Sequence, residues 1–172
     1  MFFNYLKDLA TKKIVKQSLS NVKHIASDKK IKTVGIIFDE SYFYEREALV
    51  QELISNGIKE EDIKFIVFKD KIKKNEVFDF PVFSFKDLTW IATIANPQVN
   101  DFVKEPFDLL INYYDTEKTA LLLASHLSKA NFKVGFSLID NRLNHFMINT
   151  NAENYKVFMD ELFKYLKILN KI

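Results

Sequence analysis

Short apolar runs separated by helix-length segments constrain this chain more than any other feature. Residues 33–38 (TVGIIF) form a continuous apolar run and read as a strand buried on both faces. Asp39, Glu40 and Ser41 follow as turn and cap material. A helix to about Asn56 then buries Phe43, Leu49, Val50, Leu53 and Ile54, with Gly57 where a C-terminal cap is expected. Residues 62–68 (DIKFIVF) give a second strand. Strand, helix and strand of these lengths make a βαβ unit, whose two strands are parallel and whose crossover is right-handed.

The rest of the chain repeats the alternation. Residues 69–80 are a charged linker, expected to be an exposed loop, and 82–85 a short third strand. Asn96-Pro97 sets a cap residue before a proline at the first helical position, with Val99, Phe102 and Val103 to bury. Residues 107–114 (FDLLINYY) are the strongest candidate for a central strand. Asp115 or Thr116 is placed to cap a helix running to about Ala130. Residues 132–137 and 145–149 read as strands. Thr150 to Glu153 has the capping-box pattern and opens a final helix with a stripe from Tyr155 to Leu169. The fold class is α/β: a three-layer Rossmann-like sandwich around a mainly parallel sheet, its last strand free to lie antiparallel at an edge.

Composition enters as a set of exclusions. Three Gly and three Pro are too few for a disordered or collagen-like chain, while 17 Phe and 7 Tyr supply bulk for a core. Without cysteine there is no disulfide, Cys-zinc site, iron–sulfur cluster or thiol nucleophile. Neither a secretory signal nor a membrane-length apolar run is visible, so the expected location is the cytoplasm.

Positive charge is concentrated at the start. Residues 1–32 read as a basic amphipathic helix and connector preceding a single α/β domain at 33–172. Lys7, Lys12, Lys13, Lys16, Lys23, Lys29, Lys30 and Lys32 stand there against Asp8 and Asp28, leaving +6. The whole chain carries +2, so the remaining 140 residues carry −4. A basic arm on a mildly acidic body points to an anionic partner for those lysines. RNA or a ribosomal surface comes first, because lysines make nonspecific phosphate contacts, though the helix has no arginine for bidentate base or phosphate recognition. An anionic membrane surface comes second, since Phe2, Phe3, Leu6 and Leu9 suit an interface. A groove on a partner protein is third. The bland alternative is a solvated helix face.

In overall order, the segments TVGIIFD (33–39), PFDLLIN (106–112), ANFKVGF (130–136) and FKYLKIL (163–169) resemble a family of short bacterial proteins of unknown function associated with the Bacteroidetes. That resemblance spans nearly the whole chain and implies a cytosolic bacterial protein with no activity to transfer. A weaker likeness, on 107–111 and 134–136, is to the N-terminal half of heptosyltransferase-like glycosyltransferases. Their nucleotide-sugar-binding second domain has no room in 172 residues, so this likeness implies shared architecture only.

Catalytic motifs are scarce. Gly35, Gly57 and Gly135 are isolated, so neither a Walker loop nor a GxGxxG fingerprint can be assembled. In an open α/β sheet ligands bind beyond the carboxyl ends of the strands. Two such ends are polar: Asp39, Glu40 and Ser41, then Tyr113, Tyr114, Asp115, Thr116, Glu117 and Lys118. If their strands are neighbours, Asp39 and Asp115 face one crevice as a metal-binding or acid–base pair. Against this, Asp39, Ser41, Asp115 and Thr116 are the residue types that cap helices, and capping is the favoured reading. Trp90, Tyr113 and Tyr114 are candidates to stack on a base or sugar, with core packing favoured. His24, His126 and His145 lack ligand partners at helical spacing, so no metal or cofactor is assigned. The resulting expectation is a non-catalytic binding or adaptor protein. A nucleotide- or sugar-class enzyme working in the crevice is the alternative.

Overall fold

The computed structural model describes residues 2–22, 28–41 and 43–172, with side chains from Tyr5 onward. Lys23 and His24 lie outside the described residues. Helix α1 spans Phe2–Leu19. There follow β1 (Val34–Asp39), α2 (Arg46–Ser55), β2 (Ile63–Phe68), β3 (Val82–Phe83), α3 (Pro97–Lys104) and β4 (Leu109–Tyr113). The chain ends with α4 (Thr119–Leu127), β5 (Phe132–Phe136), β6 (Phe146–Ile148) and α5 (Tyr155–Ile168). The six strands form one sheet in the order β3-β2-β1-β4-β5-β6, and every neighbouring pair is parallel. This is the doubly wound Rossmann-like order, with its reversal between β1 and β4. The last strand is therefore parallel too: β6 pairs with β5 from Phe146 opposite Val134 to Ile148 opposite Phe136.

Strand alternation sorts side chains into two apolar layers. Val34, Ile36 and Phe38 of β1 and Leu109, Ile111 and Tyr113 of β4 meet Leu49 and Leu53 of α2 and Phe158, Leu162 and Leu166 of α5. On the other face Ile37 and Leu110 meet Val99 and Val103 of α3, Leu121 to Ala124 of α4, and Val15 and Leu19 of α1. Helix α1 thus contributes to the core instead of projecting from it. Gly35 makes room for Phe107, which packs on Phe102 of α3: a Cβ there would stand 2.6 Å from the Phe107 ring.

Local signals succeed where they are self-contained. Asn96 Oδ1 accepts the N–H groups of Gln98 and Val99 at the start of α3, at 3.0 and 3.3 Å. Gly57 adopts a φ of +95° just after α2, as a C-terminal cap requires. Helix α2 starts only at Arg46, because Phe43 is drawn into the core beside Phe38 and Tyr113 and fixes the preceding loop. Helix α4 starts at Thr119, with Lys118 at the cap position and no side-chain capping bond. Helix α5 likewise starts after Asn154, without the capping box expected from Thr150 to Glu153.

Candidate functional site

Two regions hold the residues that the sequence singles out. The first is the crevice at the carboxyl ends of β1 and β4. These strands are neighbours, and the strand order reverses between them, which is where doubly wound sheets take ligands. Asp39 ends β1 and is buried, at 5% exposure. Its Oδ1 accepts the Ser41 N–H at 2.9 Å, closing a local turn. Lys118 Nζ lies 2.8 Å from Asp39 Oδ2 and 3.0 Å from Asp70 Oδ1, and donates to Ser41 Oγ at 2.8 Å. The ammonium also stands 4.9 Å from the centroid of the Phe68 ring. Asp39, Ser41 and Lys118 are brought together as a compact ion pair, joined by Asp70 from the linker.

The other crevice candidates turn elsewhere. Glu40 pairs with the Arg46 guanidinium and lies 3.8 Å from Lys69. Asp115 Oδ2 accepts the Ala152 N–H at 2.8 Å and so anchors the loop that enters α5. Thr116 is exposed, with its hydroxyl 3.4 Å from Asp115 Oδ1. Asp115 and Thr116 do not cap α4. Tyr113 and Tyr114 fall on opposite faces of the sheet and are fully buried, so neither ring offers a stacking surface. The Tyr113 hydroxyl donates to Ala152 O at 2.7 Å, and the Tyr114 hydroxyl lies 2.6 Å from Ser125 Oγ. Burial pushes both phenol pKa values above their ordinary range, so both stay neutral.

Behind the crevice runs a buried polar chain that the sequence reading missed. Ser125 Oγ donates to Asn112 Oδ1, and Asn112 Nδ2 donates to Asn144 Oδ1, each at 2.7 Å. Lys133 Nζ donates to Ser125 O at 2.7 Å, and burial draws this lysine down to about 8. The available signal was Asn112, a polar residue in the apolar run 107–114.

The second region is the lysine-bearing helix. At about 100° per residue, Thr11, Val15 and Leu19 share a stripe, and all three are buried. Thr11 Oγ1 donates to Thr89 O at 3.2 Å, and Lys7 Nζ donates to Leu88 O at 2.9 Å. Lys16 pairs with Glu117 at 3.0 Å and Asp140 at 3.6 Å. Arg142 grips Asp140 and donates to Lys16 O and Ser20 Oγ, tying the end of α1 to the body. That guanidinium holds the Asp140 carboxyl down at about 2. Lys29 reaches Asp108 at 2.6 Å, and Lys30 reaches Asn170 Oδ1 and Ile172 O at 2.9 and 3.1 Å. Burial works to raise the Asp108 carboxyl. Lys29 and the N–H groups of Thr33 and Lys32 outweigh it and leave the pKa lowered. Of the seven described lysines, Lys7, Lys16, Lys29 and Lys30 are thus engaged within the molecule. Lys12, Lys13 and Lys32 have no ion pair among the described residues.

The outward side of α1 also carries apolar side chains: Tyr5 is 62% exposed, Leu9 46% and Leu6 37%. Among the described residues no group of three His, Cys, Asp or Glu side chains is placed to hold a metal ion. No helix among them is long and apolar enough to cross a membrane.

No curated protein and no solved structure matches the chain. A family model does match, over residues 7–169, and the chain belongs to that family: a family of unknown function (DUF6913).

Proposed function

We propose, since that family brings no activity with it, that the protein is a non-catalytic cytoplasmic binding or adaptor protein that docks through the outward side of α1 on an anionic partner. The observation behind this reading is how α1 is held. Its inner stripe is consumed by the core, while Lys12 and Lys13 keep unneutralised charge beside exposed apolar residues. RNA or a ribosomal surface and an anionic membrane surface are the two partners of that charge. Because Val15 and Leu19 belong to the core, point variants test this better than removal of the helix. Bulk RNA and phosphatidylglycerol vesicles are offered to the intact chain and to Lys12→Glu/Lys13→Glu across a salt series. The reading expects binding to one of them that falls steeply with salt and is lost in the double variant. Binding to neither, or equal binding by the variant, overturns it.

A second reading, a nucleotide- or sugar-class enzyme, is favoured by the position of Asp39 and Lys118 at the switch point of the sheet. The stretches that resemble heptosyltransferase-like glycosyltransferases fall in and around β4 and β5 and add only shared architecture. A ligand there has to displace Lys118 from two carboxylates, which sets this reading behind the first.

A further inference from the structure

We infer that the anionic partner of α1 is a phospholipid surface, and that the turn at residues 88–94 completes the docking face. This rests on the docking reading above and names the partner class. The turn is built to present its tip. Leu88 and Ile94 bridge its ends; the Thr89 N–H donates to Thr93 O, the Thr93 N–H donates to Thr89 Oγ1, and the two hydroxyls lie 2.7 Å apart. Ala92 adopts a φ of +55°, which tightens the reversal. At the tip, Ile91 is 76% exposed and Trp90 52% exposed. The bonds from Lys7 to Leu88 O and from Thr11 to Thr89 O moor this turn to the second and third turns of α1. A cavity of about 330 Å³, lined by Tyr5, Lys7, Asp8, Phe85 and Leu88, opens between the two elements.

The chemistry of the combined face discriminates between partners. Tryptophan and tyrosine with aliphatic neighbours fit the boundary between headgroups and acyl chains, where amphipathic rings concentrate. Lysines stand on the same elements: half-buried Lys12 and exposed Lys13 on the helix, and exposed Lys86 before the turn, matching anionic headgroups. Asp8, the one acidic residue of α1, is half-buried and lines the cavity. An RNA face would use its aromatics to stack bases and arginines to grip phosphates. Leu6, Leu9 and Ile91 offer RNA nothing, and α1 has no arginine.

The chain's single tryptophan stands in the face, so its emission reports directly on contact. Vesicles of phosphatidylcholine mixed with phosphatidylglycerol, and of phosphatidylcholine alone, are titrated into the intact chain. The anionic vesicles are expected to shift Trp90 emission to shorter wavelength, and the neutral ones to leave it unchanged. Ile91→Asp, at a site too exposed to matter for folding and checked by circular dichroism, is expected to weaken partitioning about tenfold or more. Vesicle binding with unmoved Trp90 emission, full binding by Ile91→Asp, or equal binding to neutral vesicles overturns the proposal. RNA binding without vesicle binding overturns the lipid assignment and leaves the docking reading standing. Binding to neither removes both.

Discussion

The crevice at the ends of β1 and β4 and the outward face of α1 are both rich in charge, yet they solve opposite problems. In the crevice the charged groups are engaged by the fold itself: Lys118 sits between Asp39 and Asp70, and Asp115 holds the Ala152 N–H. On α1, Lys12 and Lys13 meet no carboxylate among the described residues, and leucines lie open beside them. Polar residues at a sheet's switch point are not by themselves an available site. What marks a region for a partner is the interaction its own fold leaves unmade.

That contrast is broken most forcefully at Lys118. Lys118→Met strands the buried Asp39 carboxylate and is expected to cost about 3 kcal/mol in urea unfolding. A cost below about 0.5 kcal/mol would mean that the crevice is not closed by this pair. Next comes the inner stripe of α1. Leu19→Ala empties a fully buried position and should cost about 2.5 kcal/mol, whereas Leu9→Ala on the outer side should change stability by less than about 0.5 kcal/mol. Equal losses at both positions would remove the distinction between the faces.

Acid acts on the same boundary. Arg142 depresses the Asp140 pKa to about 2, below its ordinary 3.8, so the stabilisation is complete above about pH 4. It is lost as pH falls through about 2, and Asp108 adds to it with the same sign. Protection of the amides at the end of α1, taken against the intrinsic exchange rate at each pH, is expected to fall across that window in the wild type. Asp140→Asn should show faster exchange already at neutral pH and a smaller acid response. The smallest effect is expected for Lys13→Ala: no measurable change in melting temperature, with weaker binding to anionic vesicles.

The sheet could be read from sequence because its signals are local. Apolar runs of strand length, Asn96 before Pro97 and Gly57 after α2 each state their own structure within a few residues. The site could not be read in this way, because its pairings are distant. Asp115 looks like a cap for the helix that follows it, but its partner Ala152 lies 37 residues away. Lys118 is an unremarkable helix-start residue until Asp39, 79 residues earlier, closes on it. Tyr113 and Tyr114 end an apolar run, and only the packing of both sheet faces shows that neither reaches the crevice. The lysine excess was plain, but its division into engaged and available members depends on Glu117, Asp140, Asp108 and Asn170. The exposure of Trp90 ran against the usual burial of that residue, and it follows from a turn held by Thr89 and Thr93.

Hydrogen exchange on the intact chain, with and without phosphatidylglycerol-containing vesicles, compares the two regions in one measurement. With vesicles present, exchange is expected to slow in residues 5–17 and 88–94 and to stay unchanged at 39–41 and 115–118. Slowed exchange at the crevice, with α1 and the turn unaffected, would contradict docking through α1.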